Sequence, residues 1–100
     1  MLAAIALTAA FAAATTPARS LPELKAAWYD CLISSAQPEV DGREMPVVIA
    51  LHAMAACKDE QVAYEVPLLR EPAPNASPDL LVKEDAEAVR HVIAFVNRSR

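Results

Sequence analysis

The chain has 100 residues, with 9 Lys and Arg against 13 Asp and Glu, for a formal net charge of −4. It has no cationic run, so it lacks the charge on which phosphate binding depends, and nucleic acid is not an expected partner. Gly42 is the single glycine while alanine abounds; hairpin turns need residues at positive φ and alanine is the strongest helix former, so an all-α fold is expected.

Met1 to Ala14 is an alanine-rich apolar stretch, and no charged side chain precedes Arg19. An apolar run of about 7–15 residues closed by small side chains is the secretory signal pattern. Ala12 and Ala14 supply small residues at the −3 and −1 positions, so residues 1–18 are expected to be a signal peptide cut after Ala14 or Ala18. The run departs from the pattern in one respect: the Met1 amino group is its only positive charge. Crossing a bilayer takes about 20 apolar residues; Pro17 and Arg19 stop this stretch short, and no stable membrane anchor is expected once it is removed. There is no lipobox cysteine and no twin-arginine pair. The expected product is a soluble domain, residues 19–100, in the bacterial periplasm or secreted.

The first helix is expected over about 21–36. Ser20 and Glu23 have capping-box spacing, and Pro22 falls in the first turn, where a missing N–H costs nothing. Leu21, Leu24, Trp28, Cys31, Leu32 and Ser35 recur at helical spacing and form its apolar stripe. Pro38 should push Gln37 out of the helical region and end the element. A polar turn holding Asp41 and Gly42 leads to a second helix over about 46–66, opened by Pro46 at its first position. Its expected inward face is Val47, Ala50, Leu51, Met54, Cys57, Gln61 and Tyr64. Prolines 67, 72, 74 and 78 punctuate a stiff link over 67–78, with Leu68 and Leu69 packing over the hairpin as an extended piece. The third helix is expected over about 78–97, capped by Ser77. Its apolar side is Leu81, Val82, Ala86, Val89, Val92, Ile93 and Val96. Acidic residues gather early in it and arginines late, an order that suits the helix dipole.

The expected architecture is a small three-helix domain: a helical hairpin stapled by a Cys31–Cys57 disulfide, with a C-terminal helix packed across it. At 1.5 Å per residue, Cys31 lies roughly 9 Å before the end of the first helix and Cys57 roughly 16 Å after the start of the second. An eight-residue connection that partly extends either helix absorbs this difference. Small exported domains rely on such bridges because their cores are thin.

Sites of chemistry are sparse. Cys31 and Cys57 are far apart in sequence and expected mid-helix, whereas active dithiols sit at helix N-termini; a structural bridge is therefore expected. His52 and Cys57 are five apart, about 140° around one helix, and do not converge on a metal ion as zinc requires. His91 has Glu87 one turn before it, a surface pair. No nucleophile motif, His-Glu-x-x-His or phosphate loop occurs, and no base accompanies Asp30 and Ser34. No enzyme activity, cofactor or metal is expected. The expected role is a non-catalytic interaction or structural module with a protein partner, contacted through Trp28, Tyr29, Leu68 and Leu69. A ligand or metal carrier with a cavity between loosely packed helices is the alternative, and a thiol-active redox protein the next.

Overall fold

The computed structural model describes residues 19–71 and 78–100. The expected signal peptide and its cleavage sites, the Ser77 cap and the proline-rich stretch 72–77 lie outside the described residues. Four α-helices and one 3-10 turn make up the rest: α1 (Leu21–Ala36), the 3-10 turn Gln37–Glu39, α2 (Pro46–Ala56), α3 (Lys58–Leu69) and α4 (Pro78–Ser99). No strand occurs among the described residues. The fold is all-α, with Cys31 and Cys57 joined in a disulfide whose Cα atoms lie 5.9 Å apart.

The start of α1 follows from its sequence. Ser20 is extended and its hydroxyl accepts from the Glu23 amide at 3.3 Å, leaving Pro22 harmlessly within the first turn. The reciprocal half of the box differs, since Glu23 Oε1 accepts from the Ser20 hydroxyl rather than from its amide. The end differs more. Gln37 stays helical at φ −55°, ψ −43° in spite of Pro38, and the chain tightens into the 3-10 turn before leaving. A residue before proline is disfavoured in the helical region, not barred from it. This extra turn supplies the extension that the cysteine spacing requires.

The expected second helix is two helices. Cys57, at φ −106°, ψ 30°, ends α2 and precedes α3. The hydrogen bonds Cys57 N to Ala53 O and Gln61 N to Cys57 O carry the chain across the break. No Gly or Pro stands there; the residue out of line is the one whose sulfur is tied to α1. The second half then runs past Val66 to Leu69, with Pro67 inside its last turn. Leu68 and Leu69 are thus helical, not extended. Pro67 forgoes the hydrogen bond to the carbonyl one turn before it, at Ala63, and α3 continues only two residues beyond it.

The contacts Ser35–Cys57 and Trp28–Tyr64 run in opposite sequence directions, so α1 is antiparallel to α2 and α3. Lys25–Glu84 at one end and Arg100–Val40 at the other make α4 parallel to α1. α1 packs on all three other helices, and α4 lies mainly on α2. The core is Trp28, Leu32, Ala36, Val40, Ile49, Ala50, Ala53, Cys57, Tyr64, Ala88, Val92 and Val96. At the far end, the Arg100 guanidinium donates to three carbonyls, those of Val40, Gly42 and Glu44, at 2.8–3.0 Å. That fixes the α1–α2 connection against the end of α4.

The two expected inward faces hold in part: Ala50, Cys57, Gln61 and Tyr64 of the one and Val92 and Val96 of the other are buried as expected, and other positions differ. In α2 the buried residues are Ile49, Ala50 and Ala53, while Val47 and Leu51 are exposed. Every residue of α2 except His52 is apolar, so its pattern has no polar side from which to read an orientation. In α4, Val82 is 68% exposed and Glu84 is buried, because Glu84 finds partners on α1 and α3.

Candidate functional site

Three features could carry function. The first surrounds the sulfurs. Cys57 Sγ is fully buried and Cys31 is half-buried. The Ser35 hydroxyl lies 3.4 Å from Cys57 Sγ. Glu60, one turn into α3, brings a carboxylate oxygen to within 4.8 Å of both sulfurs. The expectation that both cysteines are mid-helix is corrected for Cys57, which sits at the N-terminus of α3. The histidines are elsewhere: His52 Nδ1 lies 3.0 Å from Glu39 Oε1, and the His91 ring lies 4.7 Å from that of Tyr29. The expected Glu87–His91 pair does not form; Glu87 instead faces Lys25 at 3.8 Å.

The second feature is a polar network spanning α1, α3 and α4. Glu84 accepts from the Tyr64 hydroxyl with one oxygen and from Lys25 Nζ, at 3.3 Å, with the other. Gln61 Nε2 donates to Glu65 Oε1 at 3.3 Å and to Asp85 Oδ1 at 3.0 Å. Burial lowers the Lys25 pKa, but the Glu84 hydrogen bond and the charges of Glu84 and Glu87 outweigh it, and the net shift is upward. Burial and the bond to Glu84 raise that of Tyr64 well above an ordinary phenol. Burial, with the neighbouring Asp85 carboxylate, pushes the Glu65 carboxyl up to about 7, against the opposing pull of Gln61 and Lys58. Glu65 Oε2 and Gln61 Oε1 are both buried without a partner. The network ties α3 to α4 at the end of the molecule away from the Arg100 clasp. The sequence gives no sign of it, because buried acids and surface acids look alike there.

This network sets the sign of a pH dependence. A carboxyl raised in the folded state holds its proton while the unfolded chain releases one, so stability falls as pH rises from the unfolded value, 4.5, through about 7. Glu65→Gln cannot ionise and loses that slope. In melting curves taken across this window, wild type should lose stability relative to Glu65→Gln as pH increases, and level off above the upper value. A constant difference between the two would place the Glu65 carboxyl at its ordinary value.

The third feature is the surface. Trp28 is fully buried, stacked on Tyr64 with ring centroids 5.9 Å apart and edge-on to Tyr29 at 5.6 Å, so it is a core residue and not a contact for a partner. Tyr29 is half-buried at the rim between Lys25 and His91. Leu68 packs against the core, and Leu69 is 41% exposed. The larger exposed apolar surface is one the sequence did not single out. Val47, Leu51 and Ala55 follow one another at four-residue steps along the outside of α2, and Met45 at its N-cap is exposed as well. Val62, Val66 and Leu69 make a similar exposed line on α3.

Among the described residues, one cleft is lined by Gln37, Val40, Asp41, Phe95 and Ser99. Its volume is about 230 Å³ and it is open to solvent, smaller than the ~300–1,000 Å³ in which small-molecule ligands are enclosed. No helix among the described residues is long and apolar enough to cross a membrane. Compared with protein-family models, with curated proteins and with solved structures, the chain matches none.

Proposed function

We propose that this chain is a small exported, non-catalytic interaction module that binds a protein partner through the outer face of α2. One observation supports this above the others: α2 is apolar on every side, yet Val47, Leu51, Ala55 and Ala56 are exposed to solvent. A helix of that composition is expected to be covered on all sides, and an exposed apolar line is the usual mark of an interaction surface. His52 and its partner Glu39 supply a polar edge. A partner of complementary chemistry offers an apolar helix or groove of its own, read at four-residue steps. The disulfide fits an oxidising compartment such as the bacterial periplasm, and the signal-like leader agrees with that destination.

The test is a photo-crosslinking residue placed at Leu51, with another at exposed Arg90 on α4, in the cell that makes the protein. The expected outcome is one defined adduct from position 51, absent from position 90 and lost when Val47→Glu is added. Since Val47 is exposed, that substitution should leave the melting temperature within a few degrees, in line with surface changes of about ±0.5 kcal/mol. No adduct from Leu51, or one that survives Val47→Glu, would remove α2 as the binding face.

A further inference from the structure

The surroundings of the sulfurs hold more than a bridge requires. Cys31 arrives from α1, Cys57 stands between α2 and α3, and Glu60 follows it by three residues, so its carboxylate lies on the same side of α3. One ligand atom from each of these three residues, two sulfurs and an oxygen, lies within 4.8 Å of the others. We infer that reduction converts this staple into a site for a thiophilic divalent cation of the zinc class, held by the two thiolates and the Glu60 carboxylate, with water in the fourth position.

The distances favour it. Zinc takes sulfur at about 2.3 Å and carboxylate oxygen at about 2.0–2.2 Å, which in a tetrahedron sets ligand atoms roughly 3.5–3.8 Å apart. Once the S–S bond is broken the sulfurs must separate to about that spacing. The helices already hold the two Cα atoms 5.9 Å apart, so rotation of side chains suffices. The Ser35 hydroxyl, 3.4 Å from Cys57 Sγ, can donate to that sulfur and hold it in place, as partners of ligand atoms do in metal sites. Cys57 is buried while Cys31 and Glu60 are only partly so; the open side leaves room for the water. Glu60 decides between a cation and a plain dithiol. Beside two thiols alone, a carboxylate would oppose thiolate formation, whereas beside a metal ion it is a ligand.

The chemistry balances with a dithiol reductant. Its two thiols deliver two electrons and two protons to the disulfide, giving Cys31 and Cys57 thiols and an oxidised reductant. Metal binding then releases the two thiol protons to water. The α1 to α2–α3 junction thereby has two exclusive closures, a covalent one under oxidising conditions and a metal-bound one under reducing conditions.

Cobalt(II) is the probe, added to the full chain kept reduced by a non-thiol phosphine. Expected are one equivalent bound, a thiolate-to-cobalt charge-transfer band with the visible bands of tetrahedral coordination, and a melting temperature that climbs with added metal. The oxidised protein should show none of these. Glu60→Gln should weaken cobalt binding by about tenfold or more, and the Cys31→Ser, Cys57→Ser pair should abolish the charge-transfer band. Helix content followed by circular dichroism covers the case in which the reduced chain opens. In that case metal must restore the helices, and failure to do so overturns the proposal. So do the absence of a charge-transfer band in the reduced protein and cobalt affinity unchanged by Glu60→Gln. None of these outcomes bears on the crosslinking from Leu51, which is carried out on the oxidised protein.

Discussion

Reducing the Cys31–Cys57 disulfide in the presence of a chelator should lower the unfolding free energy by about 3.5 kcal/mol. The bridge spans 26 residues, and the chain-entropy relation for a closed loop of that length gives this figure at room temperature. In a domain of this size each kcal/mol moves the melting temperature by about 4–8 °C, so a drop of about 15–25 °C is expected. The effect is large because the core is small: its fully buried large side chains are Trp28, Leu32, Ile49, Val92, Val96 and Cys57 itself. Stability of a small domain is of order 5 kcal/mol, and loss of the bridge removes most of it. The paired change Cys31→Ala, Cys57→Ala should cost as much as reduction or up to about 1 kcal/mol more, since it also removes the packing of the buried Cys57 sulfur. A melting shift of only a few degrees in both experiments would mean that the helices hold their arrangement without the bridge. The chelator matters, because a metal ion bound by the reduced site would mask the loss.

Trp28→Ala should cost about 3–5 kcal/mol, most of a margin of order 5 kcal/mol, and so bring the urea midpoint close to zero denaturant. Trp28 is the largest buried side chain, with no exposed surface, and its ring is the meeting point of α1 and α3 through Tyr64. Removal leaves a cavity that the tethered helices are poorly able to close. Trp28→Phe should cost clearly less. It keeps an aromatic ring against Tyr64, and it discards the indole N–H, which is buried without a partner. Urea midpoints for the three proteins should fall in the order wild type, Phe, Ala. Equal losses for Phe and Ala would show that the full indole is required, and a negligible loss for Ala would contradict its place at the centre of the core.

The fold class, the bridge and the first helix were legible because local signals agree there. Ser20, Pro22 and the spacing of Leu24, Trp28 and Leu32 all point to one helix with one inward side. Two cysteines in a small chain with an export-like leader left one natural pairing. What the sequence concealed has three physical sources. The break at Cys57 has no Gly or Pro to mark it and coincides with the cross-link to α1, a tertiary feature. Val47 and Leu51 read as inward because a helix that is apolar at every position but His52 has little periodicity to orient it, whereas Ala50 is buried as expected. The burial of Glu84 and Gln61 depends on Tyr64, Lys25 and Asp85 arriving from other elements, and such pairing across helices leaves no trace in local spacing. Trp28 and Tyr29, both expected as partner contacts, divide into core and rim, because Trp28 also lies on the inward stripe of α1 and stacks on Tyr64. Leu68 and Leu69 belong to α3 because Pro67 falls close enough to its end to be tolerated.

The most direct measurement is the intact mass of the native protein after exposure to an alkylating reagent under denaturing conditions, with and without prior reduction. The expected result is no alkyl group on the untreated chain and two after reduction, on a polypeptide that begins after Ala14 or Ala18. A native chain that takes up two alkyl groups without reductant would contradict the oxidised junction of α1 with α2 and α3 on which the rest depends.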